Sequence, residues 1–429
     1  MLVLLIFSVL VLLILLGFPI AVAMGLTAVG FFLGLGEPRM IGAMAQRMYS
    51  AVSSFPLLAI PFFILAGNLM NVGGMTDRIF GFARTLVGHV RGGLAHVSVL
   101  ASMLFAGVSG AALAEAMGLG VIEIKAMKSG GIDDTFAGAV VASSSTIGPV
   151  IPPSIPMVIY GALAEVSVGA LFLGGVIPGV LMGIGIMIVI YIAAVKRGYR
   201  AEQRATLKQV LRSGFDGVLG LLAPGIIMGG ILGGVFTPTE AAVAAVLYAL
   251  IVGAIVYREL DLTRLTAILW DTVDQTVRVM FIIAAAGMFG WLLIYIRAPQ
   301  AIVEALTALS SSPAVILLII NVILLVLGCF MEGIAIMLLT VPIFMPVLAK
   351  FGIDPVHFGV VMTLNLMIGL LHPPLGMVLF VLSRIAKLSI ERTTMAILPW
   401  LIPLLLSLIA ITLIPELTLW LPRQFGMLK

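Results

Sequence analysis

The sequence predicts an all-α polytopic membrane protein that is built from two inverted structural repeats. The chain has 429 residues, of which 62% are apolar and only 10% are charged, whereas about a quarter of the residues in soluble domains are charged. Twelve stretches of 17 or more residues contain no Asp, Glu, Lys or Arg, and a helix needs about 20 mostly apolar residues to cross a bilayer. These runs exclude a water-soluble enzyme and predict about ten spanning helices.

The first element is an uncharged segment over residues 1–36. It contains Gly17 and Pro19, and we expect it to divide there into two short helices because proline cannot donate a hydrogen bond inside a helix. A secretory signal peptide begins with basic residues, and no Lys or Arg precedes this apolar run. We therefore interpret the segment as part of the mature membrane domain.

Short motifs recur along the chain at a constant distance, which predicts an internal repeat. Three of them recur 221 residues later: Gly131-Ile132-Asp133 as Gly352-Ile353-Asp354, Gly148 as Gly369, and Pro152-Pro153 as Pro373-Pro374. Between the two copies we predict five membrane crossings, at 132–164, 169–195, 216–236, 238–257 and 278–296. Because five is an odd number, the second unit is predicted to be inverted in the membrane relative to the first.

The repeat defines the predicted domain organisation. The first repeat is expected at 1–195, with scaffold helices at 1–75, a hairpin at 92–127 and a broken helix at 132–164. The second is expected at 213–429, with scaffold helices at 216–296, a hairpin at 313–349, a broken helix at 355–385 and a final helix at 393–415. The loop between them, 196–212, has six basic residues and one acid, so we predict that it is cytoplasmic.

The two hairpins are predicted to be re-entrant. All the basic clusters fall on one side of the membrane only if residues 92–127 and 313–349 each enter and leave from the same face. Their tips are then expected near Ser109-Gly110 and near Gly328-Cys329. We name the segments hairpin 1 and hairpin 2.

Each repeat has one proline-rich break in a helix. The first break contains Pro149, Pro152 and Pro153, and the second contains Pro373-Pro374. Proline leaves carbonyl oxygens without amide partners, and such oxygens suit a hard cation. Inverted repeats with interrupted helices are typical of secondary transporters, so we expect one sodium-like ion at each break, closed by the facing tip. The amino ends of half-helices favour an anionic substrate.

A few polar side chains near the breaks need separate interpretation. Glu332 is the only acid between Glu304 and Asp354, and a carboxylate inside a membrane indicates function unless it is part of a buried structural pair. Glu240 is expected to cap the helix that it begins, through Thr237 or Thr239. His372 could bind a proton or simply donate to a freed carbonyl, and Cys329 is expected only to pack.

At these tips and breaks the sequence resembles the large membrane (M) subunit of the tripartite ATP-independent periplasmic (TRAP) transporters, a DctM-like protein of the ion transporter superfamily. The resemblance extends over essentially the full chain. It rests on four segments: Phe105 through Gly110 (FAGVSG), Gly148 through Tyr160 (GPVIPPSIPMVIY), Phe236 through Ala242 (FTPTEAA) and Asn365 through Gly376 (NLMIGLLHPPLG).

The resemblance implies an elevator-type importer in the bacterial inner membrane that carries an organic acid anion inward with sodium. It also implies two protein partners, a small four-helix membrane subunit and a periplasmic substrate-binding protein, in addition to membrane lipid. One sodium site would comprise Ser109, Gly148, Ile151 and Pro153, and the other Gly328, Gly369, His372 and Leu375. The expected substrate-binding residues lie at the tips and breaks: Ser109, Gly110, Ala111, Ser144, Ser145, Thr146, Glu332, Gly333 and Asn365.

Three positions depart from the commoner family pattern. Ala111 stands where the tip often has Ser, Glu332 where an Asp is usual, and His372 where a Thr usually precedes Pro-Pro. If the usual Thr contributes its hydroxyl to the second ion site, His372 leaves room for a proton instead. Sodium coupling and proton coupling therefore both remain open.

Other functions are less consistent with the sequence. The single Cys329 and the absence of Cys/His clusters give no redox or structural metal chemistry, and no GxxxxGK[ST] motif is present for an ATP motor. The net charge of +4 is explained by the loops, so we expect no nucleic acid partner, and no cofactor other than coupling ions. An intramembrane serine protease at Ser109 is a distant alternative, because it has no use for two matched breaks. A channel is another, because matched hairpins usually gate alternately rather than line a continuous pore. The sequence leaves the identity of the organic acid open, with dicarboxylates and sugar acids equally suitable.

Overall fold

A computed structural model describes residues 2–110, 112–372, 376–386 and 389–428, with the helix but not the side chains at 107–109 and 114. Every regular element in these ranges is helical, which confirms the predicted all-α class. The helices of the first half are α1 (Leu2–Leu15), α2 (Ile20–Gly34), α3 (Arg39–Gly42), α4 (Met44–Val52), α5 (Ala59–Val72), α6 (Met75–Val87), α7 (Gly93–Ser109), α8 (Ala112–Met117), α9 (Leu119–Ser129), α10 (Asp134–Ser145), α11 (Ile155–Ala164) and α12 (Val168–Arg197).

The second half continues with a similar order of long and short helices. They are α13 (Leu207–Leu232), α14 (Pro238–Ile251), α15 (Leu262–Tyr295), α16 (Ala298–Leu309), α17 (Pro313–Gly328), α18 (Gly333–Phe351), α19 (Pro355–Gly369), α20 (Met377–Ala386), α21 (Ile390–Leu413) and α22 (Glu416–Gln424). A 3-10 turn at Phe55–Leu58 precedes α5, and a π-helical turn at Val252–Val256 extends α14.

Seven helical segments in the described ranges are long and apolar enough to cross a membrane. They are Phe55–Val72, Val168–Arg197, Leu207–Leu232, Pro238–Val256, Leu262–Tyr295, Gly333–Phe351 and Ile390–Leu413. Further apolar helices of 10–17 residues include α7, α11, α17, α19 and α20. At a rise of about 1.5 Å per residue these shorter helices cover only part of a bilayer of about 30 Å, as expected for hairpin arms and for broken helices.

The repeated Gly-Ile-Asp motif has a clear structural reason. Gly131 and Gly352 both have positive φ angles, of 80° and 65°, a conformation that glycine adopts without strain and that commonly ends a helix. The two aspartates then cap the following helices. Asp133 accepts a hydrogen bond from the Phe136 N–H at 2.8 Å, and Asp354 accepts from the Val356 N–H at 2.7 Å. Each motif thus ends one helix and starts the helix that contains the break.

The broken helices of the two halves pack crosswise against each other. Helix α10 of the first half contacts α20 and α21 of the second, whereas α11 contacts α18 and α19. Tyr160 in α11 is fully buried, and its hydroxyl donates to the Pro355 carbonyl oxygen at 2.7 Å. The two breaks therefore lie in one common core rather than in separate halves of the molecule.

Several helix boundaries differ from the predicted ones. Helix α15 is a single helix that starts at Leu262, not at 278. The predicted loop 196–212 is partly helical, because α12 extends to Arg197 and α13 begins at Leu207 behind a capping box made by Thr206 and Gln209. The returning arm of hairpin 1 is divided into α8 and α9 at Gly118, and α22 follows the predicted final helix.

Candidate functional site

The tip of hairpin 1 lies directly on the first break. Helix α7 ends at Ser109, and Gly110 follows in the left-handed conformation with φ 56°. A Cβ atom on Gly110 would lie 2.8 Å from the Pro153 carbonyl oxygen and 3.5 Å from Ser154 Cα. Glycine is therefore required both by the turn and by the close approach. This contact brings together one predicted substrate residue and one predicted sodium ligand.

The hydroxyl groups of the first break donate to their own helix. Ser144 and Ser145 donate to the carbonyl oxygens of Val141 and Ala142 at 3.3 and 3.0 Å, and Thr146 donates to Ser143 O at 2.7 Å. All three side chains are buried. Serine and threonine commonly form such bonds inside helices. The three hydroxyls can thus offer only acceptor lone pairs to a ligand, and no free proton.

The backbone carbonyl groups of the first break differ from its hydroxyl groups in their hydrogen bonds. Among the hydrogen bonds of the described residues, none ends on the carbonyl oxygen of Gly148, Ile151 or Pro153. Buried carbonyl oxygens are rarely left without a partner. The three predicted sodium ligands therefore have carbonyl oxygens to which no described residue donates. A hard cation such as sodium binds oxygen ligands of this kind.

Glu115 is a site residue that the sequence analysis missed. It lies on α8, it is 1% exposed, and neither of its carboxylate oxygens has a hydrogen-bond partner among the described residues. A Cβ on Gly148 would collide with Glu115 Oε2, so the carboxylate faces the first break. The signal that could have identified it is the one applied to Glu332, namely an acid within a predicted membrane segment.

Hairpin 2 contacts the second break through two glycines. A Cβ on Gly328 would lie 2.9 Å from Gly369 Cα, and a Cβ on Gly369 would lie 3.0 Å from Gly328 Cα. Gly328 is the last residue of α17, and Gly369 is the last residue of α19. Two predicted sodium ligands, one from the tip and one from the break, are therefore in direct backbone contact.

The second break differs from the first in its hydrogen bonds. The Gly369 carbonyl oxygen accepts from the His372 N–H at 3.2 Å, and the His372 carbonyl oxygen accepts from the Gly376 N–H at 3.1 Å. The His372 side chain also lies 3.1 Å from Cys329, measured from Nδ1 to Sγ. Cys329 therefore does more than pack, since it contacts the residue that replaces the family's usual threonine.

The remaining predicted substrate residues of the second repeat have distinct environments. Asn365 is fully buried, and its Nδ2 donates to Asn321 Oδ1 at 2.9 Å while its own Oδ1 has no partner among the described residues. Glu332 is half-buried and precedes α18 without a capping hydrogen bond from its side chain. Gly333 packs on Leu366, because a Cβ atom added to Gly333 would lie 3.3 Å from the Leu366 Cβ.

Some predicted residues lie outside the described part of the chain. Ala111 and Leu375 are not described, nor is the Pro373-Pro374 pair, and for Ser109 only the helix is described. By contrast, the prediction for Glu240 is confirmed. Its carboxylate accepts from the Thr237 N–H at 2.7 Å, and Thr237 caps α14 in a capping box, so Glu240 stabilises a helix start.

An ion pair joins α10 to the end of α12 outside the membrane segments. Arg197 Nη1 lies 2.6 Å from Asp133 Oδ2, and the Tyr199 hydroxyl also donates to this oxygen. Partial burial by itself raises the pKa of Asp133, but the hydrogen bonds from Tyr199 and Phe136 and the charge of Arg197 outweigh it, so the pKa lies below its usual value. Asp133 is therefore both a helix cap and an anchor for the basic segment.

Comparison with known proteins decides the family. Residues 7–417 match the family described as tripartite ATP-independent periplasmic transporter, DctM component. The chain belongs to this family. It is 45% identical over 409 residues to the sialic acid TRAP transporter large permease protein SiaM of Vibrio cholerae, with 95% of this chain and 96% of that protein covered.

Other relatives support the same assignment. The chain is 43% identical to the C4-dicarboxylate TRAP transporter large permease protein DctM of Pseudomonas aeruginosa, with 92% of each chain covered. The crystal structure of the YdaH transporter of Alcanivorax borkumensis aligns with a TM-score of 0.65 at 15% identity, and covers 92% of this chain and 90% of that one. That likeness concerns the fold alone. These relatives are transporters rather than enzymes, so this TRAP large permease is a membrane transport protein and the protease hypothesis is wrong.

Proposed function

We propose that this TRAP large permease imports an organic acid anion together with sodium, and that the two hairpin tips close over one ion site each. The observation that supports the proposal best is the matched contact of tip and break in both halves. Gly110 lies on Pro153 in the first half, and Gly328 lies on Gly369 in the second. A helix kink needs no such contact, whereas a site that must open and close does.

The first break is the stronger candidate for sodium. It offers three carbonyl oxygens, of Gly148, Ile151 and Pro153, to which no described residue donates. We propose that Glu115 adds a negative charge to this site, since its carboxylate faces Gly148 and has no partner of its own among the described residues. A bound cation would neutralise a carboxylate that is otherwise costly to bury. Ser109 would complete the site as the resemblance implies.

The second break supports sodium less directly. Two of its expected ligands, Gly369 and His372, already accept backbone hydrogen bonds through their carbonyl oxygens. Because His372 stands in place of a threonine and contacts Cys329, proton binding at His372 is the second candidate for this break. Histidine is the side chain whose charge changes most readily near neutral pH.

The substrate proposed for this chain is a carboxylate. The two relatives named above are permeases for sialic acid and for C4-dicarboxylates, and both substrates are organic acids. Asn365 Oδ1, Glu332 and the acceptor lone pairs of Ser144 and Ser145 would accept hydrogen bonds from hydroxyl groups of the acid, whereas its carboxylate would be bound by the amino ends of the half-helices. We further propose that the breaks and hairpins move together as an elevator, with a small membrane subunit beside the scaffold and a periplasmic binding protein that delivers substrate at the bacterial inner membrane.

Uptake into proteoliposomes tests the proposal. The permease is reconstituted with its small subunit, the binding protein is added outside, and radiolabelled organic acids are offered under a sodium gradient, a proton gradient, both or neither. Sodium-driven uptake that requires the binding protein is the expected result. Uptake that is driven only by a proton gradient would contradict sodium coupling and favour proton binding at His372. Uptake that does not require the binding protein would refute the tripartite mechanism.

A pair of variants tests the role of Glu115. Glu115→Gln removes the charge but retains the shape, so we expect a higher sodium concentration for half-maximal uptake. Glu304→Gln serves as the matched control, because Glu304 is exposed on α16. Equal sodium dependence in the two variants would contradict the assignment of Glu115 to the ion site.

A further inference from the structure

A second carboxylate is buried in hairpin 1, away from both breaks. Glu123 lies on α9 and is 1% exposed. The Ser98 hydroxyl donates to Glu123 Oε2 at 2.6 Å, whereas Glu123 Oε1 has no hydrogen-bond partner among the described residues. Ser98 precedes Ser109 by eleven positions, so this pair lies about 16 Å along the helix from the tip. Glu123 is therefore remote from the tip of hairpin 1 and contributes no ligand there, but it interacts electrostatically with Glu115 of the proposed first site.

Among the described residues, no positively charged side chain pairs with Glu123 from the helices around it. Helix α9 packs against α6, α7, α8 and α10. Helix α7 contributes the Ser98 hydroxyl and α8 contributes the buried acid Glu115. The charged groups on the other elements are exposed or engaged elsewhere: Asp77 on α6 is exposed, Arg84 on α6 pairs with Glu202, Arg78 on α6 lies over the ring of Tyr257, and Asp134 on α10 pairs with Lys128.

The helix that carries Glu123 does not supply a counter-charge either. Lys125 and Lys128 are both exposed on α9, and within the described ranges Glu123 forms no ion pair. His96 on α7 is buried, but it lies two positions from Ser98 and so points to another side of its helix. An ionised carboxylate without a partner is strongly disfavoured in such surroundings. Glu123 must therefore bind something that neutralises it.

The surroundings fit a proton and not a metal ion. A hard cation needs several oxygen ligands at once. The only oxygen from another residue that lies within hydrogen-bond distance of the Glu123 carboxylate in the described ranges is Ser98 Oγ, and these ranges contain no group of three or more potential metal-ligating side chains. A proton needs only one oxygen. Oε1 is free to hold it while Oε2 accepts the hydrogen bond from Ser98.

We propose that Glu123, positioned by Ser98, is a proton-binding site of hairpin 1 that is separate from the two helix breaks. The carboxyl group holds a proton on Oε1 while hairpin 1 is packed as in this structure. It exchanges that proton with water when the base of the hairpin becomes hydrated. The exposed Lys128 follows Glu123 by five positions on α9, so the exposed end of this helix is about 8 Å further along its axis.

Infrared spectroscopy tests the protonation directly, without any need for transport. The complex of the permease with its small subunit is reconstituted in lipid at pH 7, and the carbonyl stretch of protonated carboxylic acids is recorded in H2O and in D2O. Glu123→Gln is expected to lose the signal of one protonated acid, whereas the exposed control Glu304→Gln retains it. A signal that is unchanged in Glu123→Gln would overturn the proposal, whatever ion drives transport.

The pH dependence of uptake tests the exchange of the proton. At limiting sodium, the initial rate of the wild type is expected to change with pH by up to about tenfold per unit, as for a single proton site, and Glu123→Gln is expected to be nearly independent of pH in the same range. Ser98→Ala retains the acid but removes the hydroxyl that donates to Glu123 Oε2. Because the carboxylate loses this hydrogen bond, its protonated form is favoured, and the pH profile of uptake should shift to higher pH. Profiles in both variants that follow the wild type would refute proton exchange at Glu123.

Discussion

The contact between Gly328 and Gly369 predicts a specific effect of adding one methyl group at the tip of hairpin 2. In Gly328→Ala the new Cβ would lie 2.9 Å from Gly369 Cα. Real Cβ atoms do not approach backbone that closely, and here the neighbour is itself backbone, so the tip must move away from the break. Helical geometry is retained, because Gly328 ends α17 without a positive φ.

The size of the effect follows from the cost of overpacking. Inserting a methyl group into a well-packed contact costs about 1–3 kcal/mol. If this cost falls on the closed arrangement of the tip, the open arrangement becomes about 5- to 150-fold more populated. The reciprocal change, Gly369→Ala, is expected to act in the same direction because its Cβ would lie 3.0 Å from Gly328 Cα.

The only cysteine of the chain provides the assay. Cys329 follows Gly328 directly and is 9% exposed, so the rate at which a maleimide alkylates it reports the opening of the tip, without prior removal of other cysteines. In both glycine variants we expect Cys329 to be alkylated about 5- to 150-fold faster than in the wild type. Gly229→Ala in α13 is the control, since nothing lies within 4 Å of its added Cβ. Alkylation at the wild-type rate in both tip variants would refute the proposed closure of tip on break.

Three further predictions concern the first break, the core and the basic segment. Gly148→Ala places a methyl group against the Glu115 carboxylate, so the sodium concentration for half-maximal uptake should rise about 5- to 150-fold, and an unchanged value would contradict the site. Tyr160→Phe removes the hydrogen bond to Pro355 O, and should lower stability by about 1 kcal/mol and the melting temperature by a few degrees, with uptake retained. Because the pKa of Asp133 is lowered from 3.8, its ionised form stabilises the fold above that value, and the effect is lost as the pH falls through the lowered pKa. Asp133→Asn should therefore be less stable than the wild type at pH 7, by no more than about 1 kcal/mol because the pair is half-exposed, and the difference should shrink as the pH falls below 3.8.

The positions of the breaks could be read from the sequence because they depend on backbone chemistry. Proline cannot continue a hydrogen-bond ladder, and a glycine followed by an N-capping aspartate ends one helix and starts the next. Both signals act locally and both occur twice, whereas the tips near Ser109 and Gly328, where α7 and α17 end, were predicted from the distribution of basic residues. The crosswise packing of α10 on α20 and of α11 on α19 is not local, and no motif indicates it.

Charged side chains account for most of what the sequence analysis missed. The predicted crossing starts at residue 278, whereas α15 also includes the charged residues Asp271 and Asp274, and Arg278 pairs with Asp274 one turn away at 2.9 Å. Such a pair allows charges to remain on an exposed helix face. Glu115 and Glu123 were missed because the criterion that identified Glu332, an acid within a predicted membrane segment, was not applied to hairpin 1.

The number of positive charges that move with the substrate links the proposed sites to the energy of transport. Two sodium ions, one at each break, would carry two positive charges, which a dicarboxylate dianion would cancel. The membrane potential would then contribute nothing to the import of a dianion, and only the sodium gradient would drive it. A proton on Glu123 that moves with the hairpin would add one uncancelled charge, worth about 2.3 kcal/mol per cycle at 100 mV. Because Glu123 contributes no ligand to either break, its proton would make the uptake of a dianion electrogenic without replacing a sodium ion.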